Sequence, residues 1–184
     1  MNLLYPLAKR FIAGHDFDSA KPKIAKLMDE GYEVSIDYLG EKSSNQEDCF
    51  KARRQYIKII NYYSDQKIDI SLKPSQLGLE IHPLLSYLNI STIAKLASRY
   101  GHTVRLDMED SSVTEITRNQ AMALNKKFGN VGVAIQANLH RSRQDLKILK
   151  RERVSVRLVK GAYKENKGKA LQDEGDIQCA FFNY

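Results

Sequence analysis

Five short runs rich in β-branched residues alternate along this chain with stretches whose apolar residues recur at helical spacing. The runs are 33–39 (EVSIDYL), 69–73 (DISLK), 103–108 (TVRLDM), 131–137 (VGVAIQA) and 155–160 (SVRLVK). Such alternation specifies repeated βα units and a parallel sheet, because parallel neighbours need a crossover long enough to hold a helix. The 184 residues are 42% hydrophobic, enough for one core, and no Gly/Ser/Pro linker or low-complexity tract divides them. The expected organisation is therefore a single α/β domain over 1–184. Residues 1–18 form a lead-in segment, 19–163 the βα units, and 164–184 the start of the next helical region.

The helices are expected from caps and stripes. Ser19 opens the first, with Pro22 in its first turn, Ile24, Leu27 and Met28 on one face, and Gly31 as the stop. Tyr56, Ile59, Ile60 and Tyr63 mark the second, and Ile93, Leu96, Ala97 and Tyr100 repeat that spacing in the third. Ser112-x-x-Glu115 reads as a capping box for the fourth, whose face runs through Ala121, Leu124 and Phe128 to Gly129; Ser142 is expected to cap the fifth.

Several function classes fall away. Lys and Arg total 29 against 22 Asp and Glu, a formal charge of +7, but the basic residues are scattered. The densest group, Lys147, Lys150, Arg151 and Arg153, contains Glu152 and no aromatic residue for base stacking, so it reads as a solvated helix end and not as a nucleic-acid site. Cys49 and Cys179 belong to no CxxC pair, which suggests neither a disulfide framework nor zinc and makes a reducing, cytoplasmic setting the expectation. His15, His82, His102 and His140 have no metal-ligand spacing and no neighbouring Ser or Cys nucleophile, and neither a GxGxxG turn nor a P-loop is present. The opening MNLLYPLAKRF is too short for a membrane span and is interrupted by Pro6 and Lys9.

What remains is polarity at strand ends. In a parallel βα array the carboxyl ends gather on one face, where ligands bind. Here those ends carry Asp37 and, just beyond, Glu41; Lys73; Asp107 and Glu109; Gln136; and Arg157 and Lys160. Charges in such positions face one another, a ligand or water. Pairing within the fold is the plain reading for any one of them; five strands in succession favour a site. Lys73 and Arg157 beside Asp107 would hold a small anionic substrate by charge-assisted hydrogen bonds. Gly161, after the fifth strand, permits close approach of a phosphate or flavin ring to the main chain.

These strand ends resemble a known family. The segments SIDYLGE (35–41), SLKPSQLGLEI (71–81), VRLDMEDSSVTEIT (104–117), IQANLHRSRQDL (135–146) and RLVKGAYKE (157–165) are similar, in order, to those of proline dehydrogenases, in particular the monofunctional bacterial form. The resemblance implies a (βα)8 TIM-type barrel, of which about five βα units are present, and a non-covalent FAD. It implies oxidation of L-proline to 1-pyrroline-5-carboxylate, with electrons passed to a quinone. By position, Asp107 and Arg157 correspond to the catalytic pair, with Arg157 near the flavin's reactive edge, and Lys73 to the residue that meets the proline carboxylate. Met108, Gln136, Lys160, Gly161 and Ala162 correspond to flavin contacts. The family pattern continues with three further βα units and a helix bearing two adjacent arginines. The expectation is thus a fragment of such an enzyme, cytoplasmic with a peripheral contact at the inner face of the membrane; the alternative is an inactive piece that does not retain FAD alone. The resemblance fixes no oligomeric state.

Overall fold

The computed structural model describes residues 12–40 and 42–184, so the opening MNLLYPLAKRF and the strand-end Glu41 lie outside the described residues. Eleven elements alternate through them: α1 (Phe17–Asp29), β1 (Ser35–Asp37), α2 (Gln46–Tyr62), β2 (Asp69–Leu72), α3 (Pro83–Arg99), β3 (Thr103–Leu106), α4 (Thr114–Phe128), β4 (Val131–Gln136), α5 (Ser142–Arg151), β5 (Val156–Val159) and α6 (Glu174–Asn183). The five strands form one parallel sheet in sequence order, β1-β2-β3-β4-β5, as the alternating pattern predicts.

Register decides what each face of the sheet carries. Ile36 lies opposite Ile70, Ile70 opposite Val104 and Val104 opposite Val131; Leu72, Leu106 and Val133 form a second such row. These side chains point to the face that packs on the helices, where Tyr56, Ile59, Ile60 and Tyr63 of the α2 stripe and Ile93 and Ala97 of α3 join them in one core. Residues one position along point the other way, since side chains alternate along a strand. Asp37, Ser71 and Arg105 therefore share the opposite, concave face. All six residues of β4 are buried, whereas β1 and β5, the two sheet edges, are only partly covered.

Helix starts differ from the sequence reading in three places. Asp16, not Ser19, caps α1: its side chain accepts from the Ser19 N–H at 2.8 Å while the Ser19 hydroxyl accepts from the Asp16 N–H at 3.1 Å, and Pro22 lies inside the helix beyond its first turn. The acidic cap prevails because it sits three residues ahead of a Ser that can answer it. Ser112 makes no capping box with Glu115; it donates to the Asp110 carboxylate, and α4 begins at Thr114 without a side-chain cap. Ser142 is the first helical residue of α5, not its cap, and its hydroxyl donates to the Gln136 carbonyl. Helix α6 starts at Glu174, within the helical region expected over 164–184, is capped by Asp173 and has no buried residue; Phe182 is 74% exposed.

Leu106 is fully buried at the centre of the sheet. Leu106→Ala is expected to lower unfolding free energy by about 2–5 kcal/mol through lost burial and the cavity left behind, which urea titration followed by circular dichroism will measure.

Candidate active site

The concave face concentrates charge, and its ions answer one another across strands. At the carboxyl ends, Lys73 after β2 donates to Asp37 of β1 at 3.2 Å. Arg157 of β5 pairs through Nη2 with the carboxylate of Asp107, which follows β3, and the same Nη2 donates to Ser71 Oγ at 2.8 Å. Ser71 Oγ in turn donates to Asp107 Oδ1 at 2.8 Å. Of the expected cluster, then, Arg157 and Asp107 meet directly, while Lys73 takes Asp37 as its partner.

These pairings shift the titrations. Burial pushes the Asp37 carboxyl above its ordinary 3.8, and the nearby Lys73 ammonium offsets this only in part. Asp37 Oδ1 is buried without a hydrogen-bond partner, so nothing on that oxygen offsets the cost of burying its charge. For Lys73, burial is the largest single influence and discourages the ammonium, but the charge and hydrogen bond of Asp37, with the charges of Asp107 and Tyr163, together outweigh it and lift Lys73 above 10.5. Partial burial, with the charge of Glu109, raises the Tyr163 phenol.

A second layer ties the strand-end loops together. The buried Glu109 carboxylate accepts from the Ser75 N–H at 2.9 Å and from its hydroxyl. Gln136 Nε2 donates to the Glu109 carbonyl at 2.8 Å, and Gln136 Oε1 accepts from the Ala162 N–H at 3.4 Å. Glu165 accepts from the N–H and hydroxyl of Ser111 at 2.6 and 2.7 Å, joining the DMEDS and GAYKE segments. Gln136 thus spends its amide inside the protein, and the Met108 side chain lies in the core at 6% exposure. Lys160 and Ala162 are exposed and Gly161 is half-buried. Gly161 has φ +113, and the Asn138 amide lies where its Cβ would be, so only glycine fits this close packing.

A cleft of about 410 Å³ opens here, lined by Gly40, Lys42, Lys73, Ser75, Glu109 and Tyr163. That size suits a small ring compound and is near the lower end for small-molecule sites. A second hollow of about 650 Å³ lies toward the amino ends of the strands, and Arg157 belongs to its lining and not to that of the cleft. There Asp69 already accepts from Ser35 Oγ at 2.8 Å and from Thr103 Oγ1, with Arg105 Nε 3.6 Å away. Among the described residues no group of three or more His, Cys, Asp or Glu could hold a metal ion. His102 is fully buried against the Ile60 carbonyl, and burial lowers its pKa.

The sequence reading assigned no role to Ser71, Ser75, Tyr163 or Glu165. Ser71 carried a usable signal, since it stands two residues before Lys73 in one strand and so on the same face. Glu165 had none, because its partner Ser111 is 54 residues away in a different loop.

A parallel βα sheet with polar side chains at its carboxyl ends is the arrangement on which barrel-type (βα) proteins build their sites. The proline dehydrogenase family model matches residues 20–181, and the chain belongs to this family. It is 32% identical over 176 residues to proline dehydrogenase 1 of Bacillus subtilis subsp. natto, an alignment covering 95% of this chain and 58% of that protein. It is 33% identical over 181 residues to proline dehydrogenase of Deinococcus radiodurans, with the same coverage, so the chain spans somewhat over half the length of these relatives. The proline utilization A protein of Bdellovibrio bacteriovorus, solved after inactivation by N-propargylglycine, superposes with a TM-score of 0.82 at 21% identity, covering 97% of this chain and 24% of that one. That likeness establishes the fold, an α/β barrel segment of five parallel strands.

The Asp37–Lys73 pair gives a pH test. A carboxyl raised in the folded state stabilises the fold fully below its unfolded value near 3.8 and loses that contribution as pH rises through the folded value. Carbon-detected NMR titration is expected to give Asp37 a midpoint above 3.8, and Lys73→Met to move it higher still by removing the cation bonded to it.

Proposed function

We propose that this chain carries the substrate-orienting half of an FAD-dependent proline dehydrogenase, oxidising L-proline to 1-pyrroline-5-carboxylate and passing electrons to a quinone. The observation that carries the reading is Arg157 held at the strand ends by Asp107 and Ser71, one strand-end layer from the Lys73–Asp37 pair. Family membership and the relatives' names support it.

Each residue's share follows from its unspent hydrogen bonds. An ammonium has three N–H donors. Lys73 gives one to Asp37, and the others are available to a substrate carboxylate in the cleft. Arg157 uses Nη2 on Asp107 and Ser71, leaving Nε and Nη1 without a protein partner among the described residues. Those donors would serve negative charge that develops on a ring system placed against residues 160–162. Met108 and Gln136 contribute there through the main chain and by holding the Ala162 N–H, respectively. The cleft alone is too small for a whole dinucleotide, so these residues would hold the flavin ring and leave the adenosine side to other parts of the protein. When bound, FAD supplies the hydride acceptance. The chain's residues fix the ring carbon next to the substrate nitrogen and balance the charge, which needs no nucleophile.

A second reading is favoured by the two unpaired sheet edges, β1 and β5: the chain retains FAD only once further strands join the sheet. Flavin titration separates the two. The first reading expects purified chain to take up FAD and lose the oxidised flavin's visible absorbance when L-proline is added without oxygen. The second expects colourless protein that gains this behaviour when co-expressed with the remaining βα units of a relative. Neither behaviour in either preparation overturns both. In whichever preparation turns over, Arg157→Ala is expected to lower kcat/KM on the order of 100-fold and Lys73→Ala to raise KM for proline at least about tenfold. Lys150→Ala, on the exposed face of α5, should leave both unchanged in steady-state assays.

A further inference from the structure

We propose that Ser71 is a positioning residue that sets the orientation of the Arg157 guanidinium, and through it the affinity of the strand-end site for its anionic or flavin ligand. Ser71 lies in β2, Asp107 just past β3 and Arg157 in β5, so three separate strands meet at one point. Arg157 and Asp107 touch through a single nitrogen and a single oxygen, Nη2 and Oδ1. A one-point ion pair leaves the guanidinium free to swing about that contact, unlike the two-point fork usual for arginine and carboxylate.

The Ser71 hydroxyl removes this freedom. Its oxygen accepts the second Nη2 hydrogen at 2.8 Å and its own hydrogen goes to Asp107 Oδ1 at 2.8 Å, closing a three-membered ring of hydrogen bonds. Both hydrogens of Nη2 are then consumed, and the plane of the guanidinium is set by two acceptors in place of one. The other three N–H donors, on Nε and Nη1, are directed as a group away from the ring. The anchoring end of the ring is shielded, with Ser71 4% exposed and the Asp107 side chain 20%, while 36% of the Arg157 side chain stays open. An alanine would fill nearly the same space, so only the hydroxyl's two hydrogen bonds distinguish serine at this position.

The ligand part of this inference rests on the function proposed above; the positioning part does not. The test therefore has two arms on the full chain. In the first, flavin-free protein with 15N-labelled arginine is observed by NMR, with Ser71→Ala, Ser71→Cys and Ser71→Thr beside the unmodified chain. The Arg157 Nη–H signals are expected to be resolved in the unmodified chain and in Ser71→Thr, which keeps the hydroxyl. They should be lost to rotation and exchange in the Ala and Cys variants, while backbone amide spectra stay native. Persistence of those signals in both Ala and Cys overturns the proposal, as does their absence from the unmodified chain. Should one variant fail to fold, the other decides. In the second arm, FAD titration is expected to show about tenfold weaker binding in Ser71→Ala, in line with loss of a hydrogen bond to a charged group, with recovery in Ser71→Thr. Equal affinities of Ala and unmodified chain overturn the ligand part. If the unmodified chain takes up no flavin, it is the functional reading that fails, and the NMR arm still judges Ser71.

Discussion

Arg157 and Asp107 hold each other on the inner face of this sheet. Both are only partly open to water, 36% for the Arg157 side chain and 20% for that of Asp107, so each charge is better held paired than alone, and apolar rows occupy every second position of the strands that carry them. Their pairing across β4, which offers only Ala134 opposite Arg157, makes room for both. The small side chains of Gly132 and Ala134 are thus part of the same arrangement. Arg105 also reaches across this gap, coming within 3.5 Å of Ser155 Oγ, and a Cβ at Gly132 would press on its guanidinium. Charge on β3 and β5 and smallness on β4 are one design.

The loops inherit their order from that face. Glu109 secures the turn after β2 through Ser75, Gln136 links the ends of β3 and β5, and Glu165 fastens the segment after β5 to the one after β3. Each of these acceptors or donors is satisfied inside the protein, so the loops are held by the protein and the outward donors of Lys73 and Arg157 remain for a ligand. Asp145, almost wholly buried between Arg118 and Arg141, does the same for the α4–α5 pair behind β4.

The elements and their buried faces were legible from sequence because they depend on local period: every second residue in a strand, every third or fourth in a helix. The α2 stripe from Tyr56 to Tyr63 is buried throughout for this reason. Helix starts were less legible, since Ser19, Ser112 and Ser142 each had a competing neighbour: Asp16, Asp110 and the Gln136 carbonyl. The site was legible as a set of strand ends and illegible as a set of pairs. Nothing local says that Lys73 prefers Asp37 to Asp107, which is a matter of how far each side chain reaches across the curved face. Ser71 and Glu165 are small or solvent-like residues whose partners lie 36 to 86 positions away.

The sequential strand order bears on how the chain reaches this state. Ser35 pairs with Asp69, Asp69 with Thr103, Val104 with Val131 and Val133 with Val156, so each strand docks on the one made just before it. Each of those closures spans one helical crossover, and the sheet can grow by one unit at a time. The bond from Arg157 to Ser71 is different, spanning 86 residues. It cannot form until β2, β3, β4 and β5 all stand in line, which makes the ring of hydrogen bonds at the strand ends a late event in folding and a report that the sheet before it is complete.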